Sequence, residues 1–201
     1  MPYSKFTIQE LRKKFGIQDR RVKLFENIEA IEQSSWLKET LEMSKHVSLL
    51  SEKSKSELQV TPVLMEILKR NNYSISMFSG ILLNVNESEG LSGECDFIIS
   101  LRGDSYELES PVISLVEAKD DDISLGIPQC IAQMIAAFQY YQNEGKSVDT
   151  IFGCVTTGAD WQFLKLNNNV VYINNELYYI KEISNLLGVM QNIIEYYKPC
   201  E

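Results

Sequence analysis

The sequence has few of the residues that common catalytic and metal-binding sites need. It contains one histidine, His46, and four cysteines, none of which forms a Cys-x-x-Cys pair. We therefore predict neither a zinc site nor a histidine-based catalytic triad, because both need several such side chains together. No apolar run is long enough to span a bilayer, and the first residues lack the hydrophobic region of a signal peptide. A cytoplasmic protein without a membrane partner is expected.

Acidic residues outnumber basic ones, and the two kinds are unevenly distributed. The net charge is −9, yet residues 1–23 carry seven Lys and Arg against Glu10 and Asp19, which is +5 and leaves −14 for the rest. An acidic chain is a poor non-specific ligand for nucleic acid. The basic N-terminal segment could contact phosphates, or it could be the solvated face of an amphipathic helix, which is the commoner role of a charge run.

Hydrophobic periodicity predicts helices at both ends of the chain and strands between them. We expect helices over 7–15 with Thr7 as N-cap, 24–43 with a break near residues 34–35, 47–70, 127–141 and 182–197. We expect strands over 73–85, 95–101, 111–119, 150–156 and 161–166, then two short ones over 170–173 and 178–180. Pro62 either kinks the 47–70 helix or begins a new helix with Thr61 as N-cap. This order predicts an α/β fold with a mixed central β-sheet flanked by helices.

The third predicted strand ends in two opposite charges. Residues 112–116 form a nearly continuous apolar run, which is typical of a central strand covered on both faces. Glu117 and Lys119 follow it, and residues i and i+2 of a strand share a face. A divalent metal and a phosphate would suit this pair, because the carboxylate ligates the cation and the ammonium meets phosphate oxygens.

Other polar residues flank this strand along the chain. Asp96 begins the preceding strand, and a hairpin would bring its carboxylate close to Glu117, where the two could hold Mg²⁺. Two pairs on neighbouring helices could join them: Gln129 and Gln133, which lie one turn apart after the strand, and Glu52 and Glu57 before the sheet. The predicted site therefore combines carboxylates, one lysine and amides.

These motifs resemble the PD-(D/E)XK nuclease superfamily, which has the restriction-endonuclease-like fold. The resemblance runs from about Ser51 to Leu166. It rests on Ser51-Glu52 before Pro62-Val63-Leu64, Gly93-Glu94-Cys95-Asp96, Glu117-Ala118-Lys119, the Gln129 to Gln133 helix, and Thr156-Thr157-Gly158 before Trp161-Gln162-Phe163. The array also resembles a widespread family of uncharacterised bacterial proteins, many of them cyanobacterial.

The resemblance implies a nuclease, either an endonuclease or an exonuclease, that hydrolyses phosphodiester bonds with Mg²⁺ or Mn²⁺. Its partner would be nucleic acid, DNA rather than RNA. Asp96 and Glu117 would bind the metal, and Lys119 would serve catalysis. The nuclease domain would span 47–201, with 1–46 as a helical region packed on it.

The same resemblance implies supporting roles for the helix residues. Glu52 matches the helix carboxylate better by its interval to Pro62, Glu57 is the other choice, and the sequence does not decide which faces the site. Gln129 and Gln133 would lie beside the metal ligands.

Plain structural roles compete with each of these assignments. Glu117 and Lys119 could form an ordinary, partly exposed salt bridge, and Asp96 could cap a turn. The helix residues could lie on solvated faces. The acidic balance favours a second hypothesis, a nuclease-like fold that binds nucleic acid or a protein partner without catalysis. Apolar faces on the terminal helices would allow a homodimer.

Overall fold

The computed structural model describes residues 2–103, 107–108 and 122–198, and the backbone of 111–117. The helices are α1 (Ile8–Phe15), α2 (Ser35–Ser44), α3 (Glu52–Lys55), α4 (Thr61–Arg70), α5 (Ile123–Asn143) and α6 (Ile183–Tyr196). A π-helical segment, Ser56–Val60, joins α3 to α4. The strands are β1 (Gln18–Val22), β2 (Ser76–Leu82), β3 (Glu94–Ser100), β4 (Pro111–Glu117), β5 (Thr150–Thr156), β6 (Asp160–Asn167), β7 (Val170–Asn174) and β8 (Tyr178–Tyr179).

One mixed sheet organises the described part of the chain. Its strand order is β1-β7-β6-β5-β4-β3-β2, with β8 also paired to β6. The β1–β7 and β4–β5 pairs are parallel, and the other pairs are antiparallel. A parallel neighbour cannot be reached by a tight turn, so α5 crosses over the sheet between β4 and β5. The predicted α/β fold with a mixed sheet flanked by helices is confirmed.

Helices cover both faces of the sheet. A Cβ placed on Gly153 of β5 would lie 2.5 Å from Sγ of Cys130 and 2.5 Å from Sδ of Met134, so this face of β5 packs directly on α5. The preceding residue of the strand, Phe152, points to the opposite face of the sheet. Its ring packs edge-on against Tyr196 of α6, with the centroids 5.5 Å apart. Within the described ranges, no helix is long and apolar enough to cross a membrane.

Elements with strong local signals match their predictions. β5 has the predicted bounds, and α1 has the predicted cap: the Glu10 N–H donates to Oγ1 of Thr7 at 3.2 Å, and the Thr7 N–H donates to Oε2 of Glu10 at 2.8 Å. Gly16 ends α1 in the left-handed region with φ 66°. These two caps satisfy backbone groups that the helix itself leaves unpaired.

The helix predicted over 24–43 is wrong in its first half. Helix α2 begins only at Ser35, after an N-cap in which the hydroxyl of Ser34 accepts from the Leu37 N–H at 3.2 Å. Residues 24–34 are irregular, because Phe25 inserts into the core, with its ring 5.7 Å from that of Phe163. The polar strand β1 was not predicted either. It lies at the sheet edge, where half of a strand's backbone groups and much of its surface face solvent.

The region around Pro62 follows neither predicted alternative fully. Helix begins at Glu52 and runs on to Arg70, but the π segment interrupts the α-helical hydrogen-bond pattern before the proline. There the Thr61 N–H donates to the Ser56 carbonyl, five residues back. Proline has no N–H and its ring collides with the carbonyl four residues earlier, so the wider π turn accommodates it without ending the helix.

Candidate functional site

Four strand ends meet at one end of the sheet. Phe97 of β3 pairs with Leu115 of β4, Glu117 of β4 pairs with Thr156 of β5, and Thr156 pairs with Trp161 of β6. The start of β3, the ends of β4 and β5 and the start of β6 are therefore side by side. We call this edge the site end of the sheet.

The backbones of Asp96 and Glu117 both lie at the site end, in neighbouring strands. Asp96 precedes the paired residue Phe97 by one position, and Glu117 follows the paired Leu115 by two. Asp96 is half-buried. The side chain of Glu117 and the whole of Lys119 lie outside the described residues. The convergence of these three side chains therefore stays a prediction.

Helix α5 supplies an amide next to Asp96. Gln133 is fully buried, and its Nε2 donates to the carbonyl of Glu94, two residues before Asp96, at 3.5 Å. Gly153 pairs with Ser114 and Ser114 pairs with Ile98, so all three positions lie on the α5 side of the sheet, and alternation along β3 puts Asp96 on that side too. Gln133 and Asp96 therefore share a face of the sheet. The backbone position of Glu117 pairs with Thr156 and alternates to the opposite side.

Gln129 is less closely associated with the strands. It lies one turn before Gln133 on α5 and is half-buried. Within the described residues, no hydrogen bond joins its side chain to β3. Of the two predicted amides, Gln133 is thus the one that the structure brings to the Asp96 strand.

A glycine that sequence reasoning missed lies opposite Asp96. Ser79 and Ile81 of β2 pair with Phe97 and Cys95, and Gly80 between them has φ 62°. This left-handed conformation distorts the strand directly beside Asp96 without a shift in register, and side chains other than glycine adopt it at a cost. The signal was present in the sequence, since an isolated glycine inside a strand often marks such a distortion.

The segment that contains α3 and the π turn packs against the site end. A Cβ on Gly158, in the β5–β6 turn, would lie 2.5 Å from Oε1 of Gln59 and 3.3 Å from Cβ of Lys55. Lys55 and Gln59 are half-buried by this contact. The segment therefore reaches the same edge of the sheet as Asp96 and Glu117.

The two predicted helix carboxylates lie on different sides of this segment. Glu52 is three residues before Lys55 and seven before Gln59, which places it on the face that contacts the turn. Glu57 is on the other side, with Oε1 3.8 Å from the ammonium of Lys53 and its side chain 61% exposed. Glu52 is exposed as well, yet it alone of the pair shares a face with Gln59.

The β5–β6 turn is held together by its own hydrogen bonds. Oγ1 of Thr156 donates to the Asp160 carbonyl and accepts from the Gly158 N–H, each at 2.9 Å. Oγ1 of Thr157 accepts from the Asp160 N–H at 3.0 Å, and Nε1 of the buried Trp161 donates to the Gly158 carbonyl at 3.0 Å. These bonds show that Thr156, Thr157, Gly158 and Trp161 of the motif stabilise the conformation of the turn. The turn is therefore a rigid surface for Lys55 and Gln59 to pack against.

The buried thiols are poor candidates for catalysis. Burial, with the nearby charges of Asp96 and Glu94, raises the pKa of Cys95 to about 12. Burial raises the pKa of Cys130 and Cys154 in the same way. A thiol is nucleophilic as its thiolate, so these three act as small core residues.

The described residues provide part of a metal-binding set. Among them, no group of three or more His, Cys, Asp or Glu lies close enough to hold a metal ion, and the Glu117 carboxylate is outside that search. Mg²⁺ commonly takes only one or two carboxylates from the protein and completes its shell with water and phosphate oxygens. Asp96 supplies one carboxylate at the site end, and a second ligand would have to come from side chains outside the described residues that reach around the strand ends.

The basic side chains of the N-terminal segment are exposed. Its seven Lys and Arg side chains all face solvent along α1, β1 and the adjoining residues. Arg12 pairs with Asp19 at 2.6 Å, and the ammonium of Lys14 donates to the Glu89 carbonyl at 2.5 Å. Both predicted roles, phosphate contact and solvated face, are compatible with this placement.

Comparisons with models of known protein families and with curated protein sequences give no significant match. No substrate, partner or activity is therefore carried to this chain by a relative.

Proposed function

We propose that this chain is a Mg²⁺-dependent phosphodiester hydrolase of the PD-(D/E)XK type, with a restriction-endonuclease-like core, acting on nucleic acid and in the first place on DNA. The observation that carries the proposal is the position of two carboxylate-bearing residues at adjoining strand ends. Asp96 enters β3 where Glu117 leaves β4. An antiparallel β2-β3-β4 unit between α4 and the α5 crossover to β5 supports it.

Each residue would have a distinct role in this reaction. Asp96 and Glu117 would hold the metal, which supplies a polarised phosphate and a more acidic water when bound. Lys119, two residues after Glu117, would orient the attacking water and stabilise negative charge on the phosphate oxygens. Glu52 is the better choice than Glu57 for the helix carboxylate, because it shares the face that meets the β5–β6 turn.

Gln133 would be a positioning residue. Its amide is bonded to the β3 backbone at Glu94, so it fixes the strand that carries Asp96 without needing to touch substrate. A rigid β3 matters because small displacements of a reacting group lower reaction rates strongly.

The test is cleavage of supercoiled and linear DNA by the purified protein with Mg²⁺, Mn²⁺ or EDTA. Asp96→Asn should reduce metal-dependent cleavage to background, because it removes a charged ligand at nearly constant shape. Asp149→Asn is the matched control, since Asp149 is exposed and precedes β5 at the opposite end of the sheet. Equal cleavage by wild type and Asp96→Asn contradicts the assignment.

A second candidate is a nuclease-like module that binds nucleic acid or a protein partner without cleaving anything. The net charge of −9 favours it, because nucleases usually present a basic surface to their substrate. Mn²⁺ titration by calorimetry separates the two. The hydrolase should bind the ion in wild type and lose it in Asp96→Asn, whereas the module need bind none.

A further inference from the structure

A cavity of about 360 Å³ lies beside the site end, on the face of the sheet opposite α5. It is formed by α2, the π segment and the residues that follow β8. Its polar lining consists of Gln33, Lys38, Glu42, Lys45, Gln59 and Lys181. We call it the lysine cleft.

The lysine cleft is basic although the chain is acidic. Three lysines line it against one glutamate. Lys45 is neutralised by Glu42, with the ammonium 2.5 Å from Oε2. In the part of the chain that the structure describes, Lys38 and Lys181 form no ion pair, and the ammonium of Lys181 lies 4.9 Å from the ring centroid of Tyr179. Two exposed cations are thus concentrated at one opening.

The cleft is physically continuous with the site end. Gln59 lines the cleft and also contacts Gly158 in the β5–β6 turn. On the other side, the Ile180 N–H donates to the Ala159 carbonyl at 2.8 Å, and Tyr179 pairs with Asp160 at the start of β6. From β4 to β8 is three strand spacings, about 14 Å at ~4.8 Å each. That length corresponds to roughly four base pairs of a duplex whose axis runs across the strands, at ~3.4 Å of axial rise per base pair.

We infer that the lysine cleft binds the phosphate backbone of the nucleic acid a few nucleotides away from the bond that is cut. The inference rests on the proposed function and adds a substrate subsite to it. An acidic chain needs local positive charge to retain a polyanion, and lysine binds phosphate as a point charge. Gln33 and Gln59 add amide donors to the wall. The subsite is sequence-independent, since it meets backbone rather than base edges.

The test measures binding of a fluorescein-labelled DNA duplex by anisotropy in EDTA, between about 50 and 200 mM KCl. Each lost phosphate contact should reduce the slope of log K against log salt concentration by about 0.9, so Lys38→Gln/Lys181→Gln should reduce it by about 1.8. Lys38→Arg/Lys181→Arg should keep the wild-type slope. The matched control is Lys69→Gln/Lys146→Gln, which removes two exposed lysines outside the cleft.

Each outcome decides between the two proposals. If both glutamine pairs reduce the slope equally, or if wild type does not bind DNA, the cleft assignment is wrong. If Asp96→Asn abolishes cleavage while the cleft variants bind like the control pair, the hydrolase stands and the subsite alone fails. If binding depends on the cleft but wild type cleaves nothing with Mg²⁺, the subsite stands and the hydrolase fails. Thermal melting of all variants by circular dichroism separates misfolding from lost binding.

Discussion

Two carboxylates on the continuous 52–70 helix have opposite surroundings. Glu66, in α4, is 1% exposed, and its oxygens accept from the Ser34 N–H at 3.0 Å, the Ser34 hydroxyl at 2.6 Å and Nε of Arg70 at 2.9 Å. Glu52, in α3, is exposed on the face that meets the β5–β6 turn. The first carboxylate is satisfied by the protein, whereas the second is open to solvent, metal or substrate.

These two carboxylates show that burial alone does not identify a functional acid. Glu66 is a charged group in the interior, and such groups attract attention as site candidates. Its partners, however, tie α4 to the start of α2, since Ser34 is the α2 N-cap. A buried carboxylate whose acceptor positions are filled by donors of the fold has a structural role. The functional acid is expected where the acceptor positions are still available.

The largest predicted effect is the loss of stability when the buried carboxylate of Glu66 is removed. Glu66→Ala should lower the free energy of unfolding by about 3 kcal/mol, because it removes the acceptor of both Ser34 groups and leaves the Arg70 guanidinium with only the Glu32 carbonyl. This value is the lower end of the range for breaking a buried ion pair, because the Arg70 side chain is 29% exposed and water can reach it. Urea unfolding followed by circular dichroism measures the change. Glu57→Ala is the control, and a loss below about 1 kcal/mol for Glu66→Ala contradicts the structural role.

A smaller effect is predicted where the helix meets the β5–β6 turn. Gly158→Ala should cost about 1–2 kcal/mol for its left-handed backbone, and more because the new Cβ displaces Gln59. Gly145→Ala is a matched control, since Gly145 also has a left-handed φ of 66° but no atom within 4 Å of a new Cβ. The difference between the two unfolding free energies isolates the contact. Equal losses would mean that Gln59 moves aside freely.

Local sequence signals account for the parts of the fold that were predicted. The Thr7–Glu10 capping box and the apolar run of β5 each identify an element within a few residues. The irregular 24–34 region and β1 depend on partners far along the chain, because Phe25 packs on Phe163 and β1 pairs with β7. Helical spacing over 24–31 was a coincidence of apolar residues that face the core from an irregular chain.

In the candidate site, too, some features could be predicted from the sequence and others depend on residues far apart in the chain. The order of strands was enough to predict that Asp96 and Glu117 lie at adjoining strand ends, since a hairpin joins them. The lysine cleft could not be predicted, because Lys38 and Lys181 are separated by most of the chain and line one cavity only in the folded protein. Gly80 was visible as a glycine, but its place opposite Asp96 depends on the β2–β3 register.

The smallest effect on stability and the sharpest test of the comparison come from the two exposed acids. Glu52→Gln and Glu57→Gln should each leave the free energy of unfolding within about 0.5 kcal/mol of wild type, since both side chains are on the surface. Only Glu52→Gln should lower Mg²⁺-dependent cleavage, because Glu52 shares the face of the segment that meets the site end. Glu57→Gln loses no more than an exposed ion pair to Lys53. Cleavage rates at several Mg²⁺ concentrations measure this, and the reverse pattern would assign the helix carboxylate to Glu57 and show that the segment turns its other face to the metal.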